Sequence, residues 1–331
     1  MAVLVCGGAG YIGSHGVAEL LNRGEEVIVV DNLQMGHREA VLNGATFYEG
    51  DLRDGLTLDR VFKNHNIDSV IHFAADSLVG VSVEQPLDYY ENNVYGAICL
   101  LKKMKEYDIK HIVFSSTAAT YGEPTTIPIE ETEPTIPTNP YGETKLAIEK
   151  MLKWSANAYG MTYVVLRYFN VAGAHPTEEI GEDHQPESHL IPIVLQVALG
   201  QREKIMIFGD DYDTPDGTCI RDYIHVKDLI QAHLEALTYL RDGGEPDVFN
   251  LGNGNGFSVK EVIDTVEKVT KIEIPREIAP RRSGDPAALV ASSEKAKKVL
   301  GWEPEYADMT KMIETAWNWH RQHPNGYESK S

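Results

Sequence analysis

Cysteine is scarce in this chain: Cys6, Cys99 and Cys219 are the only three in 331 residues, and they form no CxxC pair. All three sit in largely apolar runs, so reduced thiols in a reducing compartment are expected rather than a disulfide-stapled scaffold. Positive charge is also short, with 30 Lys and Arg against 50 Asp and Glu and a net charge of −20. That balance excludes a nucleic-acid coat and means that anionic ligands must be met by individual arginines. No stretch offers about 18 uninterrupted apolar residues, and the N-terminus lacks a charged leader with an apolar run and cleavage site, so no membrane partner is expected and the location is read as cytoplasmic. Internal repeats and low-complexity segments are lacking, and no metal site suggests itself. What is present is ample apolar content, 42%, enough for one large or two ordinary domains. The tail after residue 322 reads as frayed.

Short β-branched runs recur at 2–6, 26–30, 45–51, 69–75, 111–116 and 162–170, and stretches of helical spacing lie at 12–22, 54–64, 86–107 and 141–158. Strand and helix alternate. This order predicts an α/β, Rossmann-type doubly wound parallel sheet, with ligands beyond the carboxyl ends of the strands. Past Asn170 come a loop, a helix near 191–200 and isolated short strands such as "KIMIFG" and "DVFNLG". They suggest a second, smaller α/β substrate lobe over 173–331 beside a dinucleotide domain over 1–172, with elements able to interweave.

The first strand runs into "GGAGYIGSH", which contains Gly8-x-Gly10-x-x-Gly13 and the spacing Gly7-x-x-Gly10-x-x-Gly13. Such glycines allow a sharp turn, close approach of the backbone to a pyrophosphate and tight packing of the next helix, whose N-terminus faces the phosphates. Asp31 closes the next strand eighteen residues past Gly13. A carboxylate there accepts from a ribose diol and repels a 2′-phosphate, which favours NAD over NADP. Asp51 ends the third strand, either beside an adenine or as a solvated turn residue. "HFAA" ends the fourth in small residues that let a flat dinucleotide lie close; His72 within it reads as a satisfied strand histidine.

"TNPYGETK" places Pro140 at a helix start, where its missing N–H costs nothing, and stacks Tyr141 and Lys145 four residues apart on one face. Thr117 lies at the carboxyl edge of the fifth strand, where a nicotinamide would sit. An alcohol oxidised by hydride transfer must also lose its hydroxyl proton to a base. Tyrosine titrates near 10, and bringing it to near 7 takes about 4 kcal/mol. Lys145 and the cationic ring of an oxidised cofactor act in the required direction. A hydroxyl at 117 can share and align the substrate's proton.

Together, "GGAGYIGSH", "DNL", "GDLRD", "VIHFAA", "NNVYGA", "FSSTAATYGEP", "NPYGETK", "LRYFNVAGAHP", "DGTCIRDYIHVKDL" and "APRRSGDP" resemble, in order and nearly end to end, the UDP-glucose 4-epimerase family of extended short-chain dehydrogenases/reductases. The resemblance implies an isomerase in which NAD transiently oxidises carbon 4 of a UDP-hexose, the 4-keto sugar rotates and hydride returns to its other face. It implies Tyr141 as acid/base, Lys145 as its electrostatic partner and ribose ligand, and Thr117 as the accompanying hydroxyl. It implies NAD contacts at Gly7, Gly10, Tyr11, Ile12, Gly13, Asp31, Asn32, Asp51, Leu52, Phe73, Ala74, Ala75, Asn92, Tyr141, Lys145 and Tyr168. On the nucleotide-sugar side it implies Thr117, Tyr141, Phe169, Asn170, His189, Leu190, Phe208, Arg221, Tyr223, Arg282 and Asp285, the two arginines being suited to a diphosphate.

Two positions depart from the family pattern. His189 stands where many members carry Asn, and Leu289 is intermediate between the Tyr and the small residues found along the wall facing carbon 2. A one-residue pocket change is worth about 1–3 kcal/mol, so UDP-glucose and UDP-galactose are expected as the main substrates. A dehydratase needs a further acid and base after the Thr, where Ala118 and Ala119 stand here. A UDP-glucuronate 4-epimerase is the alternative kept open, whereas a non-catalytic NAD sensor has no use for Thr, Tyr and Lys together. A homodimer is expected, with "YGAICLLKKM" and 141–158 supplying either its face or packing against the sheet.

Overall fold

In the computed structural model, residues 1–282 and 285–327 are described. The β-branched runs form β1 (Ala2–Cys6), β2 (Glu26–Asp31), β3 (Thr46–Glu49), β4 (Ile67–His72), β5 (His111–Thr117) and β6 (Thr162–Tyr168), and Asp247–Leu251 adds β7. These seven make one parallel sheet in the order β7-β6-β5-β4-β1-β2-β3. Because successive side chains point to opposite faces, Val3, Val5, Val27 and Val29 pack on one side and Leu4, Cys6, Ile28 and Val30 on the other. Helices α1 (Tyr11–Asn22) and α5 (Val226–Arg241) cover the first face; α2 (Gly55–Asn64), α3 (Gly96–Glu106) and α4 (Pro140–Tyr159) cover the second.

The sheet is not completed within the first 172 residues. "DVFNLG", read as an isolated strand of the second lobe, is β7, hydrogen-bonded in parallel to β6, and α5 likewise returns to the sheet. Leu229, Ile230, Leu237, Phe249 and Leu251 bury their apolar side chains in one cluster with Val164 and Leu166 of β6. That lobe has its own core, built by helices Leu190–Ala198, Val259–Thr270 and Met309–Gln322 on the two-stranded pair Ile205–Phe208 and Arg276–Ala279.

Other boundaries shift for local reasons. The 86–107 stretch is not one regular helix: Pro86–Tyr89 leads into a wider π turn at Tyr90–Tyr95 and then α3. Such turns recur at functional sites. The 162–170 run breaks after Tyr168, and Asn170–Ala172 pairs in parallel with Tyr223–His225. The tail expected to fray is held as far as Tyr327, whose N–H donates to Asp183 Oδ2 at 2.9 Å and whose ring lies 4.8 Å from those of both His37 and Trp319. Residues 328–331 of that tail, with Ser283 and Gly284 of "APRRSGDP", lie outside the described residues. No helix among the described residues is long and apolar enough to cross a membrane. Cys6 and Cys219 are buried, Cys99 half-buried, and all three are free.

Candidate active site

A cleft of about 680 Å³ runs along the carboxyl ends of the strands. Its floor begins where β1 turns at Gly7, in a left-handed conformation (φ +83°). A Cβ on Gly7 would lie 2.6 Å from the Ala74 backbone nitrogen, and one on Gly13 2.0 Å from the Gly7 carbonyl oxygen. Neither position accepts a side chain. Helix α1 then starts from Gly10 with no side-chain cap and no acid in its first turn, so its N–H groups and positive dipole end are left for an anion. The loop therefore fits a pyrophosphate.

Asp31, at the end of β2, is buried and accepts from Ala9 N and Leu33 N, one bond at each carboxylate oxygen and both 2.9 Å. It fastens the glycine loop and keeps acceptor capacity for a ribose diol. Burial raises its pKa against these two bonds. Asp51 is not a freely solvated turn acid: Arg53 grips it through Nε at 2.8 Å and Nη2 at 2.6 Å, Asn32 adds 3.0 Å, and the Arg53 pairing holds its pKa down at about 2. Leu52, Phe73, Ala74, Ala75 and Asn92 line the same cleft, Asn92 from the π turn. Its neighbour Asn93, which sequence reading passed over, points inward, accepting from Asp76 N at 2.9 Å and donating to Thr144 Oγ1 at 3.1 Å. A π turn directs these successive asparagines to opposite purposes.

At the far end of the cleft, α4 opens as its sequence dictates. Asn139 accepts from Gly142 N at 2.9 Å, Pro140 occupies the first position, and the half-buried Tyr141 and the buried Lys145 follow one turn apart. Thr117 ends β5, and its hydroxyl sits beside the Tyr141 phenol, where both line the cleft. Burial pushes the Tyr141 phenol up to about 12, with the Thr117 hydroxyl pulling the other way. Burial takes Lys145 down to about 7, opposed by Glu149. The expected grip of Lys145 on the phenol is thus weaker than the cost of burying it. Lys145 Nζ donates to the Ser115 carbonyl at 2.9 Å and lies 5.9 Å from the centre of the Tyr141 ring.

Beneath this pair lies a buried polar network with no local sequence signal. Glu149, one turn past Lys145, accepts from Ser116 Oγ at 2.5 Å and from Arg167 Nε at 3.0 Å and Nη2 at 2.5 Å. Arg167 also donates to the Tyr121 hydroxyl at 3.0 Å, which donates to Asn250 Oδ1 at 2.7 Å. His72, expected to be a satisfied strand histidine, has neither ring nitrogen hydrogen-bonded among the described residues; burial holds it neutral, its pKa lowered to about 3. It packs 5.6 Å from the Phe114 ring.

Every residue assigned to the dinucleotide lines the cleft, as do Thr117, Phe169, Asn170 and His189. Leu190, Phe208, Arg221, Tyr223, Arg282 and Asp285 are not part of its lining. Arg282 stacks 4.1 Å over the Phe208 ring, and Arg221 is ion-paired with Asp285 rather than free-standing. The pairing of Tyr223 with Asn170 joins this patch to the cleft, and Leu289 lies opposite Arg221 in a parallel pair. The loop before Leu190 also gathers Glu182, His184, Glu187 and His189, with one ligand-type atom from each within 4.8 Å of the others. The spacing E-x-H-x-x-E-x-H was the available signal.

A glycine-turn helix whose free N-terminus suits a diphosphate, an acid at the next strand end and a cleft-lining Tyr with a buried Lys beside a Thr hydroxyl are the features of a dinucleotide-dependent enzyme acting on an alcohol. The chain belongs to the NAD dependent epimerase/dehydratase family, whose sequence model matches residues 3–252. A UDP-glucose 4-epimerase of Halalkalibacterium halodurans is 67% identical over 331 residues, covering 100% of this chain and 99% of that protein. A crystal structure of a UDP-glucose 4-epimerase superposes with a TM-score of 0.98 at 64% identity, covering 99% of this chain and 100% of that one. The Bifidobacterium longum UDP-glucose 4-epimerase, in complex with NAD+ and UDP, gives 0.93 at 44% identity, covering 99% and 100%.

Proposed function

We propose that this protein interconverts UDP-glucose and UDP-galactose by transient oxidation at carbon 4 of the sugar. The observation that carries the reading is Tyr141, which lines the cleft together with Thr117 and stands one helical turn from the buried Lys145, at the end of a cleft suited to a dinucleotide. Tyr141 takes the proton from the sugar's 4-hydroxyl and later returns it, while Thr117 holds that hydroxyl in line. Lys145, fixed by the Ser115 carbonyl, places an amine that titrates near neutrality one turn from the phenol, and its charged form favours the phenolate. Bound NAD supplies the hydride acceptor for carbon 4 and, when oxidised, a cationic ring that favours the phenolate.

Gly7, Gly10, Gly13, Asp31 and the strand-end residues hold the dinucleotide; Phe208, Arg221, Tyr223, Arg282 and Asp285, with Phe169 and Asn170, hold the uridine diphosphate. The dinucleotide part is assigned to 1–172 and the sugar-nucleotide part to 173–331, with α5 and β7 lent back to the sheet. The enzyme is read as cytoplasmic and homodimeric. Ala97, Leu100, Ile148 and Leu152 pack against the sheet, but Tyr95 (48% exposed) and Trp154 (69%) in the same two stretches do not, and these outward residues supply the dimer face.

The test is conversion of UDP-galactose, UDP-glucuronate and UDP-N-acetylglucosamine by purified protein. Rapid turnover of UDP-galactose without net change in cofactor oxidation state is expected, with the N-acetyl sugar slower across the Leu289 wall. Preference for the glucuronate would overturn the substrate assignment.

A further inference from the structure

We propose that Glu182, His184, Glu187 and His189 form a closed binding site for one divalent cation of the zinc class. The four side chains come from a single loop, between Asn170–Ala172 and the helix Leu190–Ala198. His189 Nδ1 lies 2.9 Å from Glu182 Oε1 and 3.1 Å from Glu187 Oε1; His184 Nδ1 lies 3.3 Å from Glu182 Oε1 and 3.6 Å from Glu187 Oε2. A tetrahedral ion with bonds of about 2.0–2.1 Å separates neighbouring ligand atoms by about 3.3 Å. The two separations to Glu182 Oε1 lie close to that value; Glu187 turns a different oxygen to each histidine, and one atom from each of the four residues lies within 4.8 Å of the others.

His184 Nδ1 is the sharper indication. It is buried and makes no hydrogen bond among the described residues, although two carboxylates stand within 4 Å. That is poor placement for a proton between N and O and good placement for lone pairs converging on an ion. The side chains of Glu182 and Glu187 are only 5% and 4% exposed, and such buried carboxylates call for a paired cation or a metal. No Lys or Arg among the described ion pairs reaches either one.

The loop is also held in place before any ligand arrives. Glu187 Oε1 accepts from Ser188 N at 2.7 Å and His189 N at 2.8 Å, and the Glu182 carbonyl accepts from Trp319 Nε1 at 3.1 Å. Imidazole with carboxylate suits zinc, and four protein ligands leave no position for substrate, so the ion is structural. Glu182, His184 and His189 line the cleft, so the ion stiffens its wall. His189 is then a metal ligand rather than a contact to the sugar.

The competing arrangement is a pair of imidazolium–carboxylate bridges with no metal affinity. Tag-free full-length protein, stripped with chelator, is titrated with zinc against a chromophoric competitor, and the loaded protein is measured by X-ray absorption at the zinc edge. Expected are about one zinc per chain and a shell of two nitrogens and two oxygens at about 2.0 Å. Glu187→Gln and His184→Ala should each weaken binding by more than the about 10–100-fold that follows loss of an outer partner. No zinc uptake at micromolar concentration, sulfur in the shell, or unchanged affinity in both variants would overturn the proposal. If the variants misfold, the wild-type stoichiometry and shell decide alone.

Discussion

Tyr141 and Lys145 stand one turn apart on α4, Lys145 buried and Tyr141 half-buried, and desolvation is the leading influence on the proton affinity of both. A phenol pushed up to about 12 is a poor base near neutral pH, so its reactivity must come from groups that favour its anion. Removing the hydroxyl removes the proton acceptor: Tyr141→Phe should lower kcat for UDP-galactose by about 10²–10⁴-fold. NAD affinity, read by fluorescence titration, should change little.

Lys145 carries a stability cost with a definite sign. Folded, it gives up its proton near 7; unfolded, near 10.5. Between those values the unfolded chain binds more protons, so this residue makes stability rise with pH. The cost near neutrality is about 4 kcal/mol, part of which the bond to the Ser115 carbonyl offsets. Lys145→Met should therefore be inactive yet more stable than the parent at pH 7, by about 2 kcal/mol. The gain should shrink toward pH 10, as urea midpoints at both pH values will record.

At the scale of elements, α4 shows what a sequence can and cannot reveal. Pro140, Tyr141 and Lys145 are legible because a first-turn proline and i, i+4 stacking are local relations; the Asn139 cap, equally local, was not read. Gly7, Gly10, Gly13 and Asp31 were legible too, since their spacing follows from one strand–turn–helix unit. Glu149, Arg167, Tyr121 and Asn250 were not, because their pairing exists only once β5, β6, β7 and α4 are brought together. The same holds for Asp222 and Asp228 of "DGTCIRDYIHVKDL": Asp222 accepts from Asn253 N, Gly254 N and Ala291 N, and Asp228 from Glu305 N and Tyr306 N. These two acids tie loops together. Breaking one member of the buried ion pair leaves an uncompensated charge, so Arg167→Met should destabilise by about 3–5 kcal/mol in urea titration. A loss below about 1 kcal/mol would show the network to be dispensable.

For the molecule as a whole, the chain crosses between lobes so that the cleft is built jointly. The sheet presents glycines and acids at its strand ends, and the smaller lobe brings Phe208, Arg221 and Arg282 to the other side of Asn170. With a net charge of −20 the protein has no diffuse positive field to offer, so the proposed diphosphate site depends on placed guanidiniums. Trp154 is exposed, and if it lies on the proposed dimer face Trp154→Glu should leave only monomer in light scattering with helix content unchanged.

Transient oxidation at carbon 4 is the central claim, and the fate of the hydrogen on that carbon tests it most directly. With UDP-galactose deuterated at carbon 4, the account predicts UDP-glucose that keeps its deuterium at carbon 4 and takes up none from deuterated water when the substrate is unlabelled. Loss of the label to solvent would contradict it, because the hydrogen would then have left as a proton.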